Sequence, residues 1–254
     1  STLNTSHTSG QSLATSGYDG NCVDVTFNPS GTKMYVAGQD SDYIYQWNLS
    51  TAWDLSTASY VASSSVQGSS RVNGGFAGLF ATPDGTKIYT LCRNTDRVFQ
   101  LTFGTTGGDV TTLSANNVKS VDAATLYPHD IAWTPDGTSL YVSGTQAFSP
   151  NGNGFHRYNA TTAFDVSTLS RDTSFTPTVG TNAVEDFFIK PDETRIYTMY
   201  DNQISQWNIG SFTLPTAQYH VGVTNSGGQI DSQYFTDINS MTAAQSAGTG
   251  TVNY

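Results

Sequence analysis

The sequence predicts an all-β chain folded as a β-propeller, and three observations carry that prediction. One pattern is written four times, anchored on the turn prolines Pro29, Pro83, Pro135 and Pro191, which stand 52 to 56 residues apart. Around each proline, apolar and polar residues alternate with the period of two that marks a half-buried strand. The signals inside each copy are those of short strands only. A repeat of this length cannot bury its apolar faces alone, so consecutive copies must pack side by side, as propeller blades do.

In the first copy the first strand sets Val25 and Phe27 against Asp24, Thr26 and Asn28. Its equivalents carry Leu79 and Ala81, Ile131 and Trp133, and Phe187 and Ile189. The turn that follows reads Asn28-Pro-Ser-Gly31, Thr82-Pro-Asp-Gly85 and Thr134-Pro-Asp-Gly137. Proline presets φ at the first corner, and glycine accepts the positive φ that closes the hairpin. The fourth copy, Lys190-Pro-Asp-Glu193, places glutamate at the glycine position, strained by roughly 1 kcal/mol if the turn is kept. Second strands follow at Lys33–Val36, Lys87–Thr90, Ser139–Val142 and Arg195–Thr198. Third strands carry Ile44/Trp47, Val98/Leu101, Phe155/Tyr158 and Ile204/Trp207. Aromatic and β-branched residues suit a sheet covered on both faces, so Trp47, Trp133 and Trp207 are expected in the core. A corner, Trp53-Asp54-Leu55, recurs as Phe164-Asp165-Val166 and weakens to Gly108-Asp109-Val110 and Phe212-Thr213-Leu214. Trp53 offers a ring that could stack a sugar, against the commoner use of such a residue as a plug between blades.

Ser1-Thr2-Leu3 aligns with Ser56-Thr57-Ala58 and Ser167-Thr168-Leu169, which precede the last strand of a unit, so the sequence picks up inside a repeat. After Val223 the pattern stops, although Tyr234–Ile238 and Thr249–Tyr254 read as short strands. The expected division is therefore propeller repeats at 1–223 and, at 224–254, either closing strands or the start of a further β module. The first case makes five blades, one of them a hybrid of the two termini. The second leaves four blades of ~54 residues and makes the chain a piece of a longer array.

Composition limits the partners. Charged residues are 12% of the 254, far below the ~25% of ordinary soluble domains, so the surface must be built largely of Ser, Thr, Asn, Gln and Gly. The net charge is −10 with a pI near 4.5, and no Lys/Arg cluster occurs. That excludes nucleic-acid binding and tight adhesion to anionic membranes. No stretch approaches the ~20 apolar residues of a membrane helix, so membrane insertion is not expected. Sequons occur at Asn4, Asn48 and Asn159, the last two at equivalent repeat positions, which reads as strand-end chemistry rather than glycosylation.

The candidate site lies where first strands begin. Asp24, Asp130 and Asp186 share one repeat position, with Gly78 in the remaining copy, and His129 and Glu185 stand one residue earlier. First strands that line the axis would gather these groups at one channel mouth. A carboxylate ring there is the chemistry that holds Ca²⁺ or a polar ligand. The plainer use of each Asp is to cap backbone N–H groups of its own or the next blade. His7, His156 and His220 fall at non-equivalent places, and no Ser-centred nucleophile motif stands out. Cys22 precedes a first strand and Cys92 follows the second strand of the next copy. Both therefore fall at the same face of the ring, where either a disulfide or two separate thiols is open.

The runs Pro29-Ser-Gly-Thr-Lys-Met-Tyr-Val36 and Tyr45-Gln-Trp-Asn-Leu-Ser-Thr-Ala-Trp-Asp-Leu-Ser-Thr-Ala-Ser-Tyr60 resemble tandem repeats of bacteriophage tail and virion proteins, of the marine and cyanophage type. The resemblance covers about residues 1–223. The Pro-Asp-Gly turn alone is shared with lactonase-like and quinoprotein-like propellers. What is distinctive is the Ser-Thr-Ala-Trp-Asp-Leu-Ser-Thr-Ala-Ser run. The resemblance implies a non-enzymatic structural protein of the virion, extracellular, in a tail or fibre, for assembly or host attachment. Its partners would be other virion proteins, copies of itself in a homo-oligomer, and a host-surface glycan or protein, with no cofactor. The alternative is a secreted or envelope bacterial propeller with metal-dependent, lactonase-like hydrolase activity and bound Ca²⁺. A generic cell-surface interaction scaffold is a third class.

Overall fold

The computed structural model describes residues 11–65, 75–105, 107–121, 125–147, 155–175, 184–190, 193–200 and 203–208, with short strands at 219–224, 230–235 and 251–252. Four successive antiparallel sheets form the blades of a β-propeller. Blade 1 holds β1 (Cys22–Phe27), β2 (Lys33–Gly38), β3 (Tyr43–Leu49) and β4 (Ala58–Ser65). Blade 2 holds β5 (Phe76–Ala81), β6 (Lys87–Cys92), β7 (Arg97–Phe103) and β8 (Leu113–Ser120). Blade 3 holds β9 (Thr125–Trp133), β10 (Ser139–Ala147), β11 (Phe155–Ala160) and β12 (Leu169–Arg171). Blade 4 holds β13 (Asp186–Ile189), β14 (Arg195–Tyr200) and β15 (Gln203–Asn208) among the described residues. The first strands touch in succession, β1 to β5 to β9 to β13, and so line the axis.

The chain divides into two compact units, Ser1–Ile209 and Gly210–Tyr254. The second contains a three-stranded sheet, ordered β17 (Ile230–Phe235), β16 (Tyr219–Thr224) and β18 (Thr251–Val252). The outer strand expected of residues 1–14 falls largely outside the described residues, as do His7, the sequon at Asn4 and the corner at Phe212.

The turns follow the sequence. Gly31, Gly85 and Gly137 hold φ of 68°, 68° and 71°, and Glu193 keeps the same left-handed conformation at 53° despite its side chain. Two of the glycines also make room for a ring. A Cβ at Gly31 would lie 2.2 Å from Trp53 Cε2, and one at Gly137 2.4 Å from Phe164 Cδ2. The aspartate of each corner caps a single 3-10 turn, accepting from Ser56 N, Thr111 N and Ser167 N respectively. An Asp in this place satisfies an N–H that the turn leaves open.

Between blades the apolar faces meet in separate clusters. Blade 1 sends Tyr35, Ala37 and Ile44 against Leu79, Ile88 and Val110 of blade 2. Blade 2 sends Tyr89, Leu91 and Val98 against Ile131, Leu140 and Val166 of blade 3. Each seam also carries a polar clasp. Tyr35 Oη donates to Gly108 O at 2.6 Å, and Tyr89 Oη to Phe164 O at 2.5 Å. Gln46 Oε1 accepts from Val110 N at 2.9 Å, and Gln100 Oε1 from Val166 N at 3.0 Å. At the third seam Tyr141 Oη donates to Glu193 Oε2 at 2.9 Å. Trp47 and Trp133 are core residues, and Trp207 is half-buried with Nε1 donating to Thr198 Oγ1 at 2.8 Å.

Candidate functional site

The residues singled out at the start of each first strand do converge. Asp24, Asp130, Asp186, His129 and Glu185 all line one cavity of about 470 Å³ at the axis, together with Arg93. The physical reason is topological: strands β1, β9 and β13 enter the axis from the same end, so one repeat position repeats in space.

Gly78, the exception, has a steric cause. A Cβ there would lie 2.7 Å from Ile131 N and 2.9 Å from Asp130 Cα, because β5 passes close to the backbone of β9. Blade 2 therefore supplies no carboxylate.

Three of the carboxylate oxygens are engaged with backbone. Asp24 Oδ1 accepts from Val25 N at 2.7 Å, and its Oδ2 reaches across the seam to Leu79 N at 2.6 Å. Asp130 Oδ1 accepts from Ile131 N at 2.7 Å. Burial pushes the Asp24 carboxyl up to about 6, with the Asp186 carboxylate adding to the push and the two backbone donors opposing it. Asp130 is driven in the same direction by burial and by the charges of Asp24 and Asp186. Crowding and burial of this kind make the ionised form of a carboxyl harder to reach.

Arg93 is the residue that sequence reading missed. Its guanidinium lies 2.8 Å from His129 Nδ1, and Glu185 faces it electrostatically. Burial, with Arg93 alongside, lowers the His129 imidazole to about 4. His129 is thus neutral at physiological pH and accepts from Arg93 through Nδ1. The available signal was positional. Antiparallel pairing brings the residue after a second strand to the same end as the residue before a first strand, and Arg93 follows β6 directly.

Ca²⁺ does not fit this donor set. Among the described residues no group of three His, Cys, Asp or Glu side chains is arranged to hold a metal ion, and both Asp24 oxygens and one of Asp130 are already tied to backbone N–H groups. The cysteines form no disulfide. Cys22 packs with Met34 and Val36 on one face of blade 1, whereas Cys92 lies in the core on its other face, between blades 1 and 2. The sheet itself separates them. Trp53 is 63% exposed, lying over Gly31 and 5.2 Å from the Phe27 ring.

No family model matches the chain, and no curated protein does. Several solved structures are similar in fold. A protein from Bacteroides uniformis provisionally assigned as a 6-phosphogluconolactonase matches at 17% identity and TM-score 0.53, over 84% of this chain and 53% of that one. The hydrazine synthase of Kuenenia stuttgartiensis matches at 15% identity and TM-score 0.51, over 91% of this chain and 53% of that one. A mitotic checkpoint complex chain matches at 12% identity and TM-score 0.51, over 74% of this chain and 49% of that one. The chain spans about half the length of the structures it matches, and likeness at this identity shows the fold alone.

Proposed function

We propose that the chain is a non-enzymatic propeller module of a bacteriophage particle, tail- or fibre-associated, serving assembly or contact with the host surface. Its partners in this reading are other virion proteins, further copies of itself and a host-surface glycan or protein. The observation that carries the reading is the use of the axial carboxylates as fasteners. Asp24 spends both oxygens on backbone N–H groups of blades 1 and 2, and a group so engaged is a structural tie before it is a base. The Ser-Thr-Ala-Trp-Asp-Leu-Ser-Thr-Ala-Ser run, with its resemblance to virion repeats, supports the placement in a particle, and the low charge suits an extracellular surface.

The test is immunogold electron microscopy of material from the native source with an antibody raised against this chain. Label on particles is the expected result. Label confined to soluble protein or to cell envelopes would overturn it.

A second reading, a lactonase-like hydrolase, is favoured by one feature, a carboxyl raised to about 6 facing a 470 Å³ cavity, the range in which a general base works near neutral pH. The fold likeness to a provisionally assigned 6-phosphogluconolactonase points the same way. Hydrolysis of 6-phosphogluconolactone, with and without Ca²⁺, separates the two readings. The first expects the uncatalysed rate in both. A rate above it that is lost in Asp24→Asn would support the second.

A further inference from the structure

Arg93 and Glu185 are the two charged groups of the axial cavity that the fold leaves underused. Asp24 and Asp130 are tied to backbone N–H groups, and Asp186 lies within hydrogen-bonding reach of Asp130. Arg93 gives one terminal nitrogen, Nη2, to His129 Nδ1 at 2.8 Å. Its Nε is buried without an acceptor, and Nη1 has no acceptor among the described residues. His129 Nε2 carries the ring proton while Nδ1 accepts. Glu185 donates its backbone N–H to Met199 O at 3.1 Å. Its side chain is exposed and makes no hydrogen bond among the described residues.

The two charges face each other without meeting. Both groups line the same cavity of about 470 Å³, and the Glu185 charge acts on the half-buried guanidinium. Yet they form no ion pair, whereas Arg157 and Asp172 of blade 3 do. A purely structural arginine would gain by contact, because a partly desolvated charge recovers its cost only with a partner close by. Opposite charges held on two walls of a cavity instead leave a field between them. An uncharged ligand does not use that field. An anion is repelled by Glu185 and Asp186, and a cation by Arg93. A ligand that carries both charges satisfies both walls.

We propose that the axial cavity binds a small zwitterion of the α-amino acid class, its carboxylate on the Arg93 guanidinium and its ammonium group on Glu185. The planar fork of an arginine suits a carboxylate in particular, and His129 positions that fork through Nδ1. Val23 and Met199, the apolar members of the lining, are left for the ligand's side chain. The cavity lies within the ~300–1,000 Å³ of small-molecule sites. The proposal holds for either functional reading, neither of which gives a role to Arg93 or Glu185.

Saturation-transfer difference NMR of the full 254-residue chain, titrated at pH 7 with glycine, L-alanine, L-leucine and L-lysine, tests it. At least one of these amino acids should bind. Its methyl ester, which lacks the anion, and its N-acetyl derivative, which lacks the cation, should each bind about tenfold more weakly or worse. Arg93→Gln should weaken the amino acid by a similar factor and leave the ester unchanged. Glu185→Gln should weaken the amino acid and leave the N-acetyl derivative unchanged. Because Glu185 is exposed, that second variant should keep the circular dichroism and urea midpoint of the wild type. Absence of binding by all the amino acids, or binding of the ester, the N-acetyl derivative or glucose as tight as that of the amino acid, would overturn the proposal. So would wild-type affinity in a folded Glu185→Gln chain.

Discussion

Lowering the pH from 7 to 5 should separate wild type from His129→Gln. In the folded chain His129 titrates at about 4, against an ordinary value of 6.5. The unfolded chain therefore takes the proton first, and the stability that His129 contributes is intact above 6.5 and lost as pH falls towards 4. Over the span from pH 7 to 5 that loss amounts to about 2 kcal/mol, an upper figure for a side chain that is only partly buried. Asp24 works in the opposite sense. Its folded value of about 6 lies above the ordinary 3.8, so its contribution is fully present below 3.8 and fades as pH rises through 6. Acidification from 7 to 5 returns about 1 kcal/mol from Asp24, and Asp130 adds to it with the same sign. In the wild type the His129 contribution and the acidic pair act in opposite senses. His129→Gln keeps a side-chain oxygen to accept from Arg93 and removes the titration, leaving the acidic pair unopposed. Differential scanning calorimetry should then show the Tm of the variant rising relative to wild type by about 4–8 °C on going from pH 7 to 5 for a chain of this size. Parallel profiles for the two proteins would refute the assignment of a neutral, arginine-bonded His129.

Gln100→Leu should cost about 1–3 kcal/mol in urea unfolding, since it leaves the buried Val166 N–H without its acceptor; a loss below about 0.5 kcal/mol would count against the clasp. The turn glycines should not be equivalent: Gly137→Ala forces a Cβ into the Phe164 ring, whereas at Gly85 the nearest atom is Pro29 Cδ at 3.1 Å. The first should therefore cost clearly more than the ~1 kcal/mol of φ strain expected of the second, again read from urea midpoints. Glu193→Gly relieves about 1 kcal/mol of strain but removes the acceptor of Tyr141 Oη, a bond of about 1 kcal/mol or more. It should land within about 1 kcal/mol of wild type, and in a Tyr141→Phe background the same change should become stabilising.

The blades were readable from sequence because their determinants are local: the proline-glycine turn, the period of two and the corner aspartate each act within a few residues. The axial cluster was readable for a different reason. Repetition turns one sequence position into one point in space, so Asp24, Asp130 and Asp186 had to meet. What repetition does not encode is chemistry that occurs once. Arg93 and its bond to His129 join two non-equivalent positions and left no periodic trace. The clasp left a trace of a less conspicuous kind. A tyrosine recurs at 35, 89, 141 and 197, and a glutamine at 46, 100 and 206, the latter buried at 46 and 100 in strands that are otherwise apolar there. A polar residue repeated at a buried position is a partner waiting for a specific N–H. The cysteines show the converse limit: sharing one end of the ring does not determine which side of a sheet a side chain takes.

The clasp runs one way. Tyrosine and glutamine reach forward from the second and third strands of a blade, and the corner that receives them belongs to the blade after it. The cooperative unit is therefore offset by half a repeat from the blade seen by eye, being the middle of one sheet joined to the corner of its successor. Shortened or lengthened arrays should be cut within a sheet so that each such pair stays whole. Cutting between blades, where the loops invite it, would leave every new terminus with a donor at one end and an acceptor at the other.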